Sequence, residues 1–160
     1  LLERVLASER AAMGSKVEFK RDFDPSLPPV IGDSDHLQQA FQNLIRNAAE
    51  AAMDGDTPGK VTVRTSYAAG LSFRQARLGA GLRRAMLVSV EDTGKGIARN
   101  RQNTIFEVFQ SSKSGARGLG LSIVKEVVTA HGGQIRVDSV PGSTRFSVLL
   151  PLGTGEKTDG

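Results

Sequence analysis

The sequence contains no cysteine, which excludes every kind of chemistry that depends on a thiol. Disulfide bonds, zinc–thiolate sites and thiol catalysis are all ruled out. Aromatic residues are also scarce, with seven Phe, one Tyr and no Trp in 160 residues. These are too few for a platform on which nucleic-acid bases could stack. We therefore expect no nucleic-acid partner.

Long hydrophobic runs are missing as well. No apolar stretch approaches the ~20 residues that a membrane-spanning helix needs, and the amphipathic start lacks the apolar segment of a signal peptide. We therefore expect a cytoplasmic domain without membrane contact. The net charge of +4 comes from scattered basic residues. It is typical of a solvated surface, or of one that helps to attract an anion.

The residue patterns predict a mixture of strands and helices in one domain. Strands are expected over residues 16–23, 59–67, 85–92, 133–140 and 144–152. Helices are expected over residues 1–13, 35–53 and 118–131, the second capped by Ser34 or Asp35. Without strict alternation of strand and helix, the pattern favours an α+β fold. We predict a two-layer sandwich in which a mixed, mostly antiparallel sheet carries helices on one face.

The remaining segments are predicted to be connections. Residues 68–84 are rich in Gly and Arg and are expected to form a long hairpin loop, and residues 153–160 a flexible tail. The chain opens within a helical pattern without Met, so we expect it to be a piece of a longer protein.

A glycine-rich stretch, "KSGARGLGLSIVKEVVTAHGG", stands before the last helix. Gly115, Gly118 and Gly120 have the reverse of the dinucleotide-binding spacing, and no Walker sequence is present. Glycines that enter a helix still let backbone N–H groups approach an anion at the positive end of the helix dipole. Lys113 and Arg117 would add charge. The alternative is a flexible loop before an ordinary core helix.

A polar stripe follows one face of the long helix. Its members are spaced by three or four residues: Gln39, Asn43, Arg46, Asn47 and Glu50. The simplest interpretation is a solvated face. However, Asn is a poor helix former, and two of them in mid-helix are unfavourable without a function. An amide oxygen is a suitable ligand for Mg²⁺, so the stripe is also a candidate metal and phosphate site.

The turn "EDTGKGI" closes an apolar strand with Asp92, followed by Gly94 and Gly96. An Asp in such a position often bonds its own backbone in a turn. Alternatively, a buried carboxylate could accept a hydrogen bond from the exocyclic amine of adenine, with the glycines letting the ring lie against the backbone.

These motifs, in this order and followed by "PGSTRFSVLLP", resemble the catalytic ATP-binding domain of sensor histidine kinases. The wider fold is shared with DNA gyrase B, Hsp90 and MutL. "NLIRNAAEA" is similar to the N box, "DTGKGI" and "GLGLSIVKEVV" to the two glycine boxes, and "IFEVF" to the F box. The resemblance runs from about Val17 to Leu152 and is strongest to nitrogen-regulation sensor kinases of the NtrB type. It implies a catalytic ATP-binding domain over residues 1–152, with residues 1–13 ending a helix from a dimerisation domain.

The resemblance implies a role for each matching residue. Asn47 would coordinate the Mg²⁺ that bridges the phosphates of ATP or ADP, and Asp92 would accept from adenine N6. Thr144 would bind adenine through water, and residues 98–117 would form a mobile lid over the nucleotide. The other expected site members are Arg46, Glu50, Gly94, Gly96, Ile97, Lys113, Arg117, Gly118, Leu119, Gly120 and Leu121, with Asn43 in support. Val108, Ala116 and Arg117 depart from the usual lid residues.

The resemblance also bears on the reaction. ATPases of this fold carry a water-activating Glu four residues before the metal-binding Asn, where this chain has Asn43, which cannot act as a base. This favours phosphoryl transfer to a histidine on the protein's own dimerisation domain, since His36 and His131 are predicted to be capping or surface residues. The implied partners are a response regulator of the NtrC type and a PII-type signal protein, with the full protein a homodimer. A same-fold serine kinase of the anti-sigma type and a nucleotide-binding module without transfer activity remain alternatives.

Overall fold

The computed structural model describes residues 1–54, 57–68, 84–107 and 120–152. A single 3-10 turn, Gly14–Lys16, follows the first helix. The other elements, in chain order, are α1 Leu2–Met13, β1 Val17–Phe23, α2 Ser34–Ala52, β2 Gly59–Tyr67, β3 Ala85–Asp92, α3 Arg99–Gln102, α4 Gly120–Ala130, β4 Gln134–Val140 and β5 Ser143–Pro151. In the part of the chain described, no helix is long and apolar enough to cross a membrane.

The five strands form one open sheet in the order β1-β2-β3-β5-β4. β1 and β2 are parallel, and every other neighbouring pair is antiparallel. The predicted mixed, mostly antiparallel α+β fold is therefore confirmed. β2 and β3 are neighbours, so residues 68–84 connect the two strands of a hairpin, as expected; residues 69–83 and the predicted tail lie outside the described ranges.

The central helix α2 holds the two layers together. It packs against β2 and β3 beneath it and against α1 and α4 on its flanks. Its predicted apolar face is fully buried: Leu37, Phe41, Leu44, Ile45, Ala48 and Ala52 all belong to the single core cluster. The apolar residues of α2, spaced at the helical period, thus determine which face of the helix packs against the sheet.

The predicted cap of α2 is wrong by one or two residues. Asp33, rather than Ser34 or Asp35, is the N-cap, and its Oδ1 accepts from the backbone N–H groups of Asp35 and His36, both at 3.0 Å. Only a residue just outside the helix can reach these N–H groups, which have no partner within the helix. Ser34 and Asp35 are already helical. The hydrogen bond from His36 lowers the pKa of Asp33.

His131 fixes α4 against α2. It directly follows α4, and its Nδ1 donates to Val127 O at 2.7 Å, while its Nε2 accepts from the backbone N–H of Asp33 at 3.0 Å. The C-terminal end of α4 is therefore joined to the start of α2, so the two packed helices run antiparallel. This arrangement places Gly120, the first described residue of α4, near the C-terminal half of α2. The predicted helix over residues 118–131 ends one residue early, and residues 118 and 119 lie outside the described ranges.

An ion pair between a buried carboxylate and a half-exposed guanidinium links α1 to α2. The carboxylate of Glu9 is completely inaccessible to solvent and accepts from Arg46 Nη2 at 2.8 Å and from Arg46 Nε at 3.3 Å. Gln42 Nε2 donates to the same carboxylate at 3.5 Å. These hydrogen bonds raise the pKa of Arg46 above its already high value. A buried carboxylate needs such partners because burying an unpaired charge is costly.

The two histidines give a matched test of the link between α2 and α4. Replacing His131 by Ala removes two hydrogen bonds and should lower the free energy of unfolding by about 1–2 kcal/mol. His36→Ala is the control, because the His36 side chain is 65% exposed, and should change stability by less than about 0.5 kcal/mol. Urea unfolding followed by circular dichroism measures both. Equal effects would contradict the role given to His131.

A second pair of variants tests the Glu9–Arg46 interaction. Arg46→Ala leaves the buried Glu9 carboxylate without its cation and should lower the free energy of unfolding by about 2–3 kcal/mol. Arg64→Ala is the control, because Arg64 and its partner Asp22 are 51% and 66% exposed, and an exposed pair contributes less than about 1 kcal/mol. Chemical denaturation of both variants measures the difference. If Arg46→Ala is no more destabilising than Arg64→Ala, the Glu9–Arg46 ion pair does not stabilise the fold.

Candidate nucleotide-binding site

A row of polar side chains crosses one end of the sheet. Asp92 is the last residue of β3 and pairs with Thr144 in β5, which in turn pairs with Ser139 in β4. Directly paired residues of antiparallel strands point to the same face. Val61 of β2, on the other side of Asp92, is fully buried in the core. The polar row therefore faces the helices, where Asp92 and Thr144 are only 2% and 3% exposed.

Asp92 is an unusual carboxylate. Burial raises its pKa to about 6, and the charge of Glu91 adds to the increase, while the hydrogen bond from the Gly94 N–H acts in the opposite direction. That bond, from Gly94 N to Asp92 Oδ1, measures 2.8 Å. Asp92 thus closes its own turn and at the same time presents a largely ionised acceptor at neutral pH. Buried carboxylates with shifted pKa values are common at functional sites.

The glycines after Asp92 allow the turn to fit between two elements. A Cβ on Gly94 would lie 2.8 Å from Ala51 O at the end of α2. Gly96 has φ +88°, and a Cβ there would lie 2.6 Å from Val140 O at the end of β4. Any other residue at either position would collide with backbone. The turn is therefore held between the end of α2 and the β4–β5 hairpin.

Ser139 and Gln102 hold the residue that follows the turn. The Ile97 N–H donates to Ser139 Oγ at 2.8 Å, and Gln102 Nε2 donates to Ile97 O at 2.9 Å and to Ser139 O at 3.1 Å. The hydroxyls of Ser139 and Thr144 are 2.7 Å apart. Sequence reasoning missed both Ser139 and Gln102. The two-residue turn of the β4–β5 hairpin could have placed Ser139 opposite Thr144, but nothing local indicated Gln102.

The polar stripe of α2 reaches the same end of the sheet. Asn43, Asn47 and Glu50 are half-buried, and Glu50 directly precedes Ala51, which the Gly94 turn contacts. Leu121 in the first turn of α4 is also half-buried. Because α4 runs antiparallel to α2, its N-terminal end lies on this side of the fold. Arg46 differs from the rest of the stripe, since its guanidinium binds Glu9 of α1.

The segment after α3 is anchored in the core. Ile105 is buried, and the Phe106 ring meets Phe146 of β5 edge to face, with centroids 6.1 Å apart. These residues begin the "IFEVF" motif of the predicted lid. The structure describes the lid only as far as Glu107. Lys113, Arg117, Gly118 and Leu119 lie outside the described residues, as do Val108 and Ala116.

An apolar cavity lies at the end of the sheet opposite Asp92. It has a volume of about 470 Å³ and is mostly apolar. Phe23, Leu27, Phe41, Met86 and Leu150 are among its lining residues. It contains none of the predicted site residues. The predicted site residues Asp92, Gly94, Gly96, Ile97 and Thr144 therefore lie at the end of the sheet away from this cavity.

Comparison with known proteins agrees with this geometry. Residues 32–154 match the family of histidine kinase-, DNA gyrase B-, and HSP90-like ATPases. The chain is 39% identical over 156 residues to the sensory histidine kinase/phosphatase NtrB of Rhodobacter capsulatus, covering 98% of this chain and 43% of that protein. It is 40% identical over 152 residues to NtrB of Azospirillum brasilense, covering 95% and 38%. The chain thus spans less than half the length of these relatives.

Solved structures give the same result. The mycobacterial sensor histidine kinase MprB superposes with a TM-score of 0.73 at 32% identity, over 93% of this chain and 90% of that chain. Full-length ShkA, solved in complex with AMPPNP, superposes with a TM-score of 0.71 at 25% identity, over 97% of this chain and 31% of that chain. The chain therefore belongs to the histidine kinase-, DNA gyrase B-, and HSP90-like ATPase family, as an ATP-binding domain of the sensor histidine kinase type.

Proposed function

We propose that this domain binds ATP with Mg²⁺ at the Asp92 end of the sheet and passes the γ-phosphoryl group to a histidine outside this sequence. The relatives named NtrB support a role in nitrogen regulation. The observation that carries the proposal is the buried, largely ionised Asp92 carboxylate, aligned with Thr144 and set beside the C-terminal end of α2.

Asp92 provides the base selectivity. Adenine has an exocyclic amine that donates to a carboxylate, whereas guanine has a carbonyl oxygen at the corresponding position, which a carboxylate repels. In the buried surroundings of Asp92 this difference is not weakened by water. The backbone at Gly96 and Ile97 lies close to the ring, and the Thr144 hydroxyl contacts the base through water.

Asn47 and the start of α4 provide the phosphate end. In this proposal the phosphates bind at the positive end of the α4 dipole. Their expected partners are the backbone N–H groups of Gly118, Leu119, Gly120 and Leu121, with Lys113 and Arg117 adding charge. The described residues contain no cluster of three or more His, Asp or Glu side chains that could enclose a metal. A single amide oxygen from Asn47, with Glu50 one turn away, suits Mg²⁺, which keeps waters and phosphate oxygens as its other ligands. The bound ion neutralises phosphate charge.

Asn43 favours phosphoryl transfer over hydrolysis of ATP. Its amide cannot act as the carboxylate base that activates water for hydrolysis. Phosphoryl transfer to a histidine needs mainly placement of the two groups and neutralised charge. The acceptor histidine belongs to the protein's own dimerisation domain, so the full protein is a homodimer. Its further partners are a response regulator of the NtrC type and a PII-type signal protein.

Phosphoryl transfer is tested by supplying the acceptor. The chain is mixed with a histidine-bearing dimerisation domain and γ-labelled ATP, and the protein label is examined for its stability in acid and base. A histidine kinase gives an acid-labile, base-stable label that disappears when the acceptor histidine is replaced. A label on serine would identify a serine kinase, and no label under any condition would leave a binding module without transfer activity.

Asn47→Ala tests the metal ligand. The variant should lose the Mg²⁺-dependent part of its ATP affinity, about tenfold or more, and keep its affinity in the absence of Mg²⁺. Gln39→Ala is the matched control, because Gln39 is an exposed member of the same polar stripe, two turns away. Calorimetric titration with and without Mg²⁺ measures both. An unchanged Mg²⁺ dependence in Asn47→Ala would overturn the assignment.

Asp92→Asn should lower the affinity for ATP and raise the free energy of unfolding at pH values above the pKa of Asp92. Because the folded-state pKa of Asp92 is raised from 3.8 to about 6, the folded state loses stability as the pH rises through this window and remains less stable above it. The variant should therefore be more stable than the parent by about 1–3 kcal/mol near pH 8, but not near pH 4. It should also bind ATP more weakly and discriminate less against GTP. Unfolding at both pH values, with nucleotide titrations, measures this, and a pH-independent change in stability would contradict the account.

A further inference from the structure

Ile97 is the point at which the turn after Asp92 is fixed in space. Both of its backbone polar groups are held by side chains: Ser139 Oγ accepts from its N–H, and Gln102 Nε2 donates to its carbonyl oxygen. Gln102 Nε2 also donates to Ser139 O. The three residues come from the turn, from α3 and from β4, and they form a closed set of hydrogen bonds, which we call the Ile97 clamp.

The Ile97 clamp is directly joined to the polar row. Ser139 Oγ, which holds the Ile97 N–H, lies 2.7 Å from Thr144 Oγ1. Thr144 is the direct strand partner of Asp92. One serine hydroxyl therefore connects the backbone on one side of the base site to the polar side chains beneath it.

We propose that Ser139 and Gln102 are positioning residues for adenine recognition, acting through the Gly96–Ile97 backbone and the Thr144 hydroxyl. This inference rests on the proposed nucleotide site. Neither side chain contacts the nucleotide itself. Their effect is to keep the wall of the base site in place before the nucleotide arrives, which reduces the loss of freedom on binding.

Ser139 also shares a hydrogen bond with the Thr144 hydroxyl. A serine hydroxyl has one proton to donate and can accept two hydrogen bonds. Ser139 Oγ accepts from the Ile97 N–H and shares a second hydrogen bond with Thr144 Oγ1, in which either hydroxyl can be the donor. This bond holds the Thr144 side chain in one position beside the base, where its hydroxyl binds the water that contacts adenine.

The test compares one nucleoside and two nucleotides as probes in four proteins. Adenosine, ATP and GTP are titrated by calorimetry into the parent chain, Ser139→Ala, Gln102→Glu and Ser143→Ala. Gln102→Glu has the same shape but brings a carboxylate against two carbonyl oxygens. Ser143→Ala is the matched control, since Ser143 lies in the same hairpin next to Thr144 but donates to Glu91 at 3.4 Å on the opposite face of the sheet.

We expect Ser139→Ala and Gln102→Glu to lower the affinities for adenosine and for ATP by the same factor. The factor should be about tenfold, as the loss of one or two hydrogen bonds implies. GTP should be affected less, so the preference for ATP over GTP should fall. Ser143→Ala should leave all three affinities unchanged. Equal effects on adenosine and ATP place the change at the base, which a general loss of stability would not do.

Several results would overturn the inference. Unchanged adenosine affinity in folded Ser139→Ala and Gln102→Glu would show that the clamp does not position the base site. A lower affinity for ATP with an unchanged affinity for adenosine would place the effect at the phosphates instead. If Ser139→Ala does not fold, Gln102→Glu decides by the same criteria. A parent chain that binds no ATP would overturn the proposed function, and this inference with it.

Discussion

The structure around Asp92 depends on keeping an ionised carboxylate at the buried end of an apolar sheet. Asp92 continues the hydrophobic strand β3 and is 2% exposed, so ionisation there is unfavourable, as its raised pKa shows. The Gly94 N–H compensates for part of this, and Thr144 and Ser139 continue the polar row beside it. A fold selected for stability alone would have no reason to place a charge there. Under the proposed function, this group serves as a strong, oriented acceptor for the exocyclic amine of adenine.

The second requirement is that one end of α2 and one end of α4 lie close to the turn after Asp92. α2 brings its polar stripe to the turn after Asp92, where the close contact between Gly94 and Ala51 O leaves no room for a side chain. α4 arrives from the opposite direction, and its far end is held by the His131 hydrogen bonds to Asp33 and Val127. The site is thus assembled by contacts at both ends of the helical layer. Loss of either contact would change the spacing between the turn after Asp92 and the N-terminal end of α4.

Much of this arrangement was predictable from the sequence because it follows from local patterns. The apolar face of α2, the strands and the order of the motifs needed only residue periodicity and spacing. The position of the α2 cap did not follow, because Asp33, Ser34 and Asp35 can all act as caps. The choice depends on an extended backbone at Asp33 whose N–H is bound by His131, 98 residues away. The pairing of Arg46 with Glu9 and the roles of Ser139 and Gln102 were missed for the same reason, since each depends on contacts between residues 37 or more positions apart.

Under the proposed function, ATP binds at the Asp92 end of the sheet rather than in the apolar cavity at the other end. A nuclear magnetic resonance titration of the isotope-labelled chain with ATP and Mg²⁺ tests this most directly, because every backbone amide reports its own surroundings. The account predicts that the largest shifts occur at Gly94, Ile97, Thr144 and Asn47, with little change at Phe23, Leu27 and Met86. Shifts concentrated at those three cavity residues, with Gly94 and Thr144 unchanged, would contradict it.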